Sequence, residues 1–261
     1  MSFREQWIEA ARRKKSLLCV GIDAGEKEQR GHLFVPEEEH KVEWTLRIIE
    51  CVAPYAAAIK LNRNYYKDIS RIEMQSLNAA IHAQGMLSID DSKLADIGET
   101  NDAGIYHAKR EGFDAITYAP FPGNMLQAAE QGRRHDLGVI ALVLMSNPEF
   151  RHMKSAQING QDFYLYLADQ AAEARVDGIV MGAPSAQNHI TRAEIMAVAQ
   201  RLPQALVLVP GIGAQGGELG PILEHFGERT LANVGRAIIY DPDPATQARF
   251  YRDAIAAQYQ L

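Results

Sequence analysis

Short apolar runs rich in valine, isoleucine and leucine alternate with longer amphipathic stretches from one end of the chain to the other. The runs at 17–23, 55–61, 86–90, 114–118, 138–144, 177–181, 205–209 and 231–234 have the length and β-branched content of buried strands. Helical periodicity follows each of them, near 41–53, 68–84, 100–111, 123–134, 160–175, 191–201, 218–226 and 243–258. The repeat is strand then helix, eight times over. A further amphipathic segment, 2–15, precedes the first strand. It opens on Ser2 and Glu5 in capping-box spacing and closes on Arg12, Arg13, Lys14 and Lys15, where cations favour a helix C-terminus.

A strand followed by a right-handed helical crossover builds a parallel sheet, and eight such units close it into a barrel. The expected class is α/β, a (β/α)8 TIM barrel with an N-terminal extra helix, residues 1–261 forming a single catalytic domain with no Pro- or Ser-rich linker. A doubly wound open sheet has the same periodicity. The placement of polar residues favours the barrel, whose functional groups gather where strands end. Asp23, Lys60, Asp91 with Lys93, Ser146, Gly211 and Arg236 all stand at or just past the ends of apolar runs.

Composition narrows the partners. The chain has 261 residues, is 47% hydrophobic and 23% charged, and carries a formal net charge of -6. That acidic balance gives no general attraction for a polyanion, so no nucleic-acid partner is expected. Cys19 and Cys51 lie in apolar stretches and read as core thiols of a reducing compartment. The polar N-terminus lacks the apolar core of a signal peptide, and no apolar run approaches membrane-spanning length. A cytoplasmic location without membrane attachment is the expectation.

The segment Asp90–Thr100, DDSKLADIGET, is the richest in chemistry. If its backbone stays extended past the third strand, Asp91 and Lys93 share one face, because side chains alternate with a period of two. Lys60 interrupts an apolar strand, and a charge there requires an opposite charge or a water-filled mouth. Asp91 is the obvious partner. Asp96 reads equally as a catalytic carboxylate or as the N-cap of the next helix, with Glu99 completing its capping box. Asp23 reads equally as a site residue or as a turn former. As a set, the lysines and carboxylates exceed what loop closure needs, and buried ion pairs are weak stabilisers. Carboxylates keep a neighbouring lysine protonated, and a protonated lysine can give its proton to a carbon on which negative charge develops. A fixed carboxylate repels a substrate carboxylate until it departs as neutral carbon dioxide. The array suits decarboxylation followed by protonation.

The run PGIGAQGG, Pro210–Gly217, has the G-x-G-x-x-G spacing of a dinucleotide fingerprint. It lies in the seventh repeat, however, and the next strand ends in Gly235–Arg236, where a ribose-binding acid would be needed. A phosphate seat between the seventh and eighth loops fits better. There Gly211 and Gly213 let backbone N–H groups approach, Gln215 adds an amide donor and Arg236 forks two hydrogen bonds. Ser146 reads as a hydroxyl for a polar ring atom or as a turn former before Asn147–Pro148. The eight histidines show no H-x-x-x-H spacing, and no metal or other cofactor is expected.

In these residues the chain resembles the orotidine 5'-phosphate decarboxylase family over nearly the whole barrel. The family's D-x-K-x-x-D-I motif is matched by Asp91, Lys93, Asp96 and Ile97, extended through Thr100. Its strand-two lysine is similar to Lys60, its strand-one aspartate to Asp23 and its serine before a proline to Ser146. Its phosphate loop resembles Pro210, Gly211, Gly213 and Gln215, and its G-R pair Gly235 and Arg236. The resemblance implies conversion of orotidine 5'-monophosphate to UMP and carbon dioxide, the last step of UMP synthesis, without metal or cofactor. It implies a Lys60–Asp91–Lys93–Asp96 tetrad in which Lys93 protonates the pyrimidine carbon. It also implies a homodimer with shared active sites, Asp96 and Thr100 reaching across from a second subunit. Asp23 and Lys60 would hold ribose hydroxyls, Ser146 the pyrimidine, and Gln215 with Arg236 the phosphate. Two alternatives are a magnesium-dependent sugar-phosphate decarboxylase of the same barrel group and a non-catalytic nucleotide-binding barrel. The first wants a carboxylate where Lys60 stands; the second has no need of a carboxylate beside a substrate carboxylate.

Overall fold

A computed structural model describes residues 1–186, 188–212 and 217–261. The first helix, α1 (Phe3–Lys14), carries the Ser2–Glu5 capping box that the sequence announces. Eight strands form a closed, all-parallel barrel: β1 (Leu18–Ile22), β2 (Ala58–Leu61), β3 (Leu87–Leu94), β4 (Ala115–Tyr118), β5 (Gly138–Leu144), β8 (Gly178–Met181), β9 (Leu206–Val209) and β10 (Thr230–Val234). All eight expected strands are present, and closure removes the open-sheet alternative. The helices that follow them in turn are α2 (Lys41–Val52), α3 (Arg71–Ala83), α4 (Gly98–Arg110), α5 (Met125–Arg134), α7 (Phe163–Ala174), α8 (Arg192–Arg201), α9 (Gly220–Phe226) and α11 (Pro244–Ala256). Sequence periodicity missed the short elements. These are α6 (Phe150–Lys154), the antiparallel ribbon of β6 (Gln157–Ile158) and β7 (Gln161–Asp162), and α10 (Arg236–Ile239). None is long enough to display a period.

Strand register sets the inner face. Lys60 pairs laterally with Gly21 and Ile89, Ile89 with Ala115, and Thr117 with Ile140. Residues level across a ladder point the same way, and alternation then puts Asp91 and Thr117 on the side of Lys60. Beneath them the barrel is apolar, with Cys19, Ile89, Ile140 and Leu208 buried. Helix α1 lies against the other end. Trp7 is fully buried and donates from Nε1 to the Glu228 carbonyl at 2.9 Å, and Phe3 packs where a Cβ on Gly138 would come within 2.5 Å of it. The polar face of the barrel is therefore the C-terminal one. Cys19 is a core thiol as expected, its pKa pushed up to about 12 by burial. Cys51 is only partly buried, a departure from the core reading, and both thiols are free.

Candidate active site

Two lysines converge on one carboxylate. Asp91 Oδ2 accepts a short hydrogen bond from Lys60 Nζ, and Asp91 Oδ1 accepts one from Lys93 Nζ at 2.7 Å. Thr117, from the next strand, donates to Asp91 Oδ1 at 3.1 Å and accepts from the Lys93 backbone N–H at 2.9 Å. Lys60 and Asp91 are buried, whereas the Lys93 side chain is 39% exposed and so faces whatever enters the mouth. Burial alone would raise the Asp91 pKa, but the two ammonium groups outweigh it and hold the carboxyl well below its usual range. Burial likewise opposes the Lys60 charge, and Asp91 and then Asp23 overcome it, so the ammonium is held more firmly than in water.

The shared face of Asp91 and Lys93 arises differently from the extended backbone expected. Between the Asp90–Ile116 and Leu94–Tyr118 pairings, β3 uses four residues where β4 uses two. Lys93 sits inside this bulge with φ at 51°, a left-handed conformation that a non-glycine residue adopts only when its surroundings impose it. The Thr117 hydroxyl, bonded to the Lys93 N–H, is one such constraint.

Asp96 does not cap α4. Ile97 is the N-cap residue and makes no side-chain cap, while Asp96 Oδ1 accepts the Ile97 N–H at 2.8 Å, so the capping box with Glu99 does not form. Nor does Asp96 form an ion pair with either lysine; within one chain three of the four tetrad members meet. Asp96, Ile97 and Thr100 sit together on the rim after β3, with Ile97 63% exposed.

Asp23 follows β1 and pairs with Arg30, Nη2 to Oδ2 at 3.1 Å. Asn62, just past Lys60, accepts the Asn64 N–H at 3.2 Å and caps a short turn. Ser146 lies two residues past β5, packed so closely on the loop after β8 that a Cβ on Gly182 would meet it at 2.6 Å. Pro210 and Gly211 follow β9; Gly211 has φ at 88°, and its carbonyl accepts the Gly217 N–H at 3.2 Å. Gly213 and Gln215 lie outside the described residues. Gly235 packs on β1, where a Cβ would come 3.0 Å from the Gly21 carbonyl oxygen, and Arg236 opens α10 exposed. Parallel strands place all these loop residues on one rim. Among the described residues, no group of three His, Cys, Asp or Glu side chains is arranged to hold a metal ion.

Sequence reading missed Thr117, Arg30, Tyr65, whose hydroxyl accepts from Arg30 Nη2 at 2.7 Å, and Tyr240, whose hydroxyl donates to the Asp23 carbonyl at 2.6 Å. Thr117 carried a signal, a polar residue at inward parity in an apolar strand. The other three come from loops and a helix end, where no period exists to read.

Residues 16–251 match the Orotidine 5'-phosphate decarboxylase / HUMPS family. The orotidine 5'-phosphate decarboxylase of Herpetosiphon aurantiacus is 31% identical over 251 residues, covering 91% of this chain and 89% of that one. The solved OMP decarboxylase of Leishmania donovani is 27% identical with a TM-score of 0.80, covering 99% and 98%. Leishmania donovani UMP synthase matches at 28% identity and a TM-score of 0.81 over 99% of this chain, which spans only 56% of that longer one. A closed parallel barrel with two lysines on one aspartate at its C-terminal mouth thus accompanies extended sequence similarity, and the chain belongs to the Orotidine 5'-phosphate decarboxylase / HUMPS family.

Proposed function

We propose that this chain, acting over residues 1–261 as one catalytic domain, converts orotidine 5'-monophosphate to UMP and carbon dioxide. The observation that carries the reading is the shared carboxylate: Asp91 holds Lys60 on one oxygen and Lys93 on the other, at the mouth of a barrel of this family. The bond from the pyrimidine ring to its carboxylate breaks, and the electron pair stays on the ring carbon. Lys93 gives that carbon a proton and regains one from water. Fixed ammonium groups stabilise the developing negative charge without reorganising at the moment of reaction. Asp91, locked between two cations, stays ionised and keeps Lys93 aimed.

Asp23 and Lys60 hold ribose hydroxyls in this reading, Ser146 contacts the pyrimidine, and Pro210, Gly211, Gly213, Gln215, Gly235 and Arg236 seat the phosphate. Binding energy at that remote phosphate positions the ring. Asp96 and Thr100, with Ile97 beside them, complete the site of a second subunit in a homodimer. Support comes from the rim itself, where Ile97 and the 89% exposed Phe121 present apolar surface, and where Asp96 has no lysine partner within its own chain. Two free thiols fit a reducing compartment, the cytoplasm. No described helix is long and apolar enough to cross a membrane.

The direct test follows the absorbance change of orotidine 5'-monophosphate with a chelator present. Conversion under those conditions is the expected result. No conversion with or without magnesium, together with magnesium-dependent decarboxylation of a keto sugar phosphate, would favour the metal-dependent sugar-phosphate reading of the barrel, and binding without turnover a nucleotide sensor.

A further inference from the structure

The segment 24–36 between β1 and α2 is an organised loop rather than a slack connection. The Val35 N–H donates to the Gly25 carbonyl at 2.8 Å, closing the loop on itself. Tyr240, just past α10, buckles its root: the phenol donates to the Asp23 carbonyl at 2.6 Å and accepts the Gly25 N–H at 3.0 Å. Lys41 ties the loop to its surroundings through Glu26 at 2.8 Å and Asp68 at 2.6 Å.

From this loop Arg30 reaches back to the mouth. Its Nη2 donates to Asp23 Oδ2 at 3.1 Å and to the Tyr65 hydroxyl at 2.7 Å, and its guanidinium lies 4.7 Å from the Tyr65 ring centroid. Tyr65 belongs to the turn following Lys60. Gly25 gives the arginine its path, since a Cβ there would sit 2.6 Å from Arg30 Cδ. The contact is substantially desolvated, with the Arg30 and Asp23 side chains 16% and 28% exposed. Among the described residues Asp23 Oδ1 has no partner, so one carboxylate oxygen is spoken for and the other is open to a donor.

The geometry points to Arg30 as a positioning residue for substrate recognition: it fixes the Asp23 carboxylate at the mouth, leaving one oxygen free for a sugar hydroxyl. This rests on the assignment of Asp23 to the ribose. The charges then form a row of five, Arg30, Asp23, Lys60, Asp91 and Lys93, alternating in sign. Lys60 lies between two carboxylates, and Asp23 already acts on it electrostatically. Without Arg30 the Asp23 carboxylate would be free to turn toward Lys60, on which it already acts, and lose its aim at the sugar. Tyr65 holds Arg30 in the geometry that prevents this.

The test compares orotidine 5'-monophosphate with its analogues lacking the 2'- or the 3'-hydroxyl, taking kcat/KM ratios for the hydroxyl whose removal costs the wild type most. Asp23→Asn should abolish that discrimination. Arg30→Met should reduce it by about tenfold, the value of a charge-assisted hydrogen bond, mainly through a higher KM with kcat changed less. Arg30→Lys should restore part of it, because a lysine keeps the charge but cannot fork to both partners. Tyr65→Phe, which leaves the charges in place, should shift the ratio the same way by less. Loss of discrimination in Asp23→Asn with no loss in Arg30→Met and Tyr65→Phe would overturn the role of Arg30 alone. Undiminished discrimination in Asp23→Asn would overturn the ribose assignment and, with it, this inference.

Discussion

Lys93 combines a strained backbone with the most accessible ammonium of the array. Its left-handed φ costs about 1–2 kcal/mol for a residue with a side chain, a cost sustained by the Thr117 hydroxyl on its N–H and by Asp91 on its Nζ. Lys60, by contrast, is buried in an ordinary strand conformation and reaches the same carboxylate from the opposite side. The division suits one lysine to proton delivery and the other to holding charge and substrate. Lys93→Ala should therefore lower kcat by at least about a hundredfold, the usual contribution of a positioned acid. Binding of UMP, measured by calorimetry, should survive. Undiminished turnover in that variant would remove Lys93 from proton delivery.

At the scale of an element, β3 puts two adjacent carboxylates in opposite situations. Asp91 points inward between two lysines; Asp90 is buried on the other face, where burial lifts its pKa to about 7 against the pull of the Ser92 hydroxyl and of Arg63. Their effects on stability have opposite signs. Asp91 is depressed in the folded state, so its contribution is present above the unfolded carboxyl pKa and is lost as pH falls through the folded one. Asp90 is raised, so between the unfolded value of about 4 and its folded value the native chain holds a proton that the unfolded chain has released. Stability from Asp90 therefore declines as pH rises across that window. Asp90→Asn removes the titration, and its stability relative to wild type should improve by on the order of 2 kcal/mol between about pH 5 and about pH 7.5. Urea midpoints with m-values at the two pH values measure this; an unchanged gap between variant and wild type would refute it.

For the whole molecule, closure of the barrel gathers residues from distant parts of the chain onto one rim, and the dimer reading extends that gathering to a second copy. If Asp96 acts on a partner's site, Lys93→Ala and Asp96→Asn proteins are each nearly inactive alone but complement when mixed. A hybrid dimer then has one site with both groups intact. Random exchange of subunits makes half the dimers hybrids, so about a quarter of wild-type activity should return. Failure to recover activity, with exchange verified by native mass spectrometry, would place Asp96 in its own chain's site or outside catalysis.

Much of this molecule was legible in one dimension. Eight buried strands, each followed by an amphipathic helix, are written in apolar periodicity, which reports the face a residue shows to the core and needs no knowledge of distant partners. Lys60 was conspicuous as a charge within an apolar strand, and Asp91 and Lys93 as charges beyond the end of one. The tertiary structure alone decided the rest. Barrel or open sheet depends on whether β10 meets β1, a contact between the ends of the chain. Local pattern also could not show the β3 bulge, imposed where the strand pairs with β4, or the misfit of Asp96 as a helix cap. Arg30 was hidden for the same reason. Nothing in the spacing of a loop reveals that its arginine folds back onto an aspartate at the mouth and a tyrosine after the next strand, because such contacts are set by the path of the chain in space.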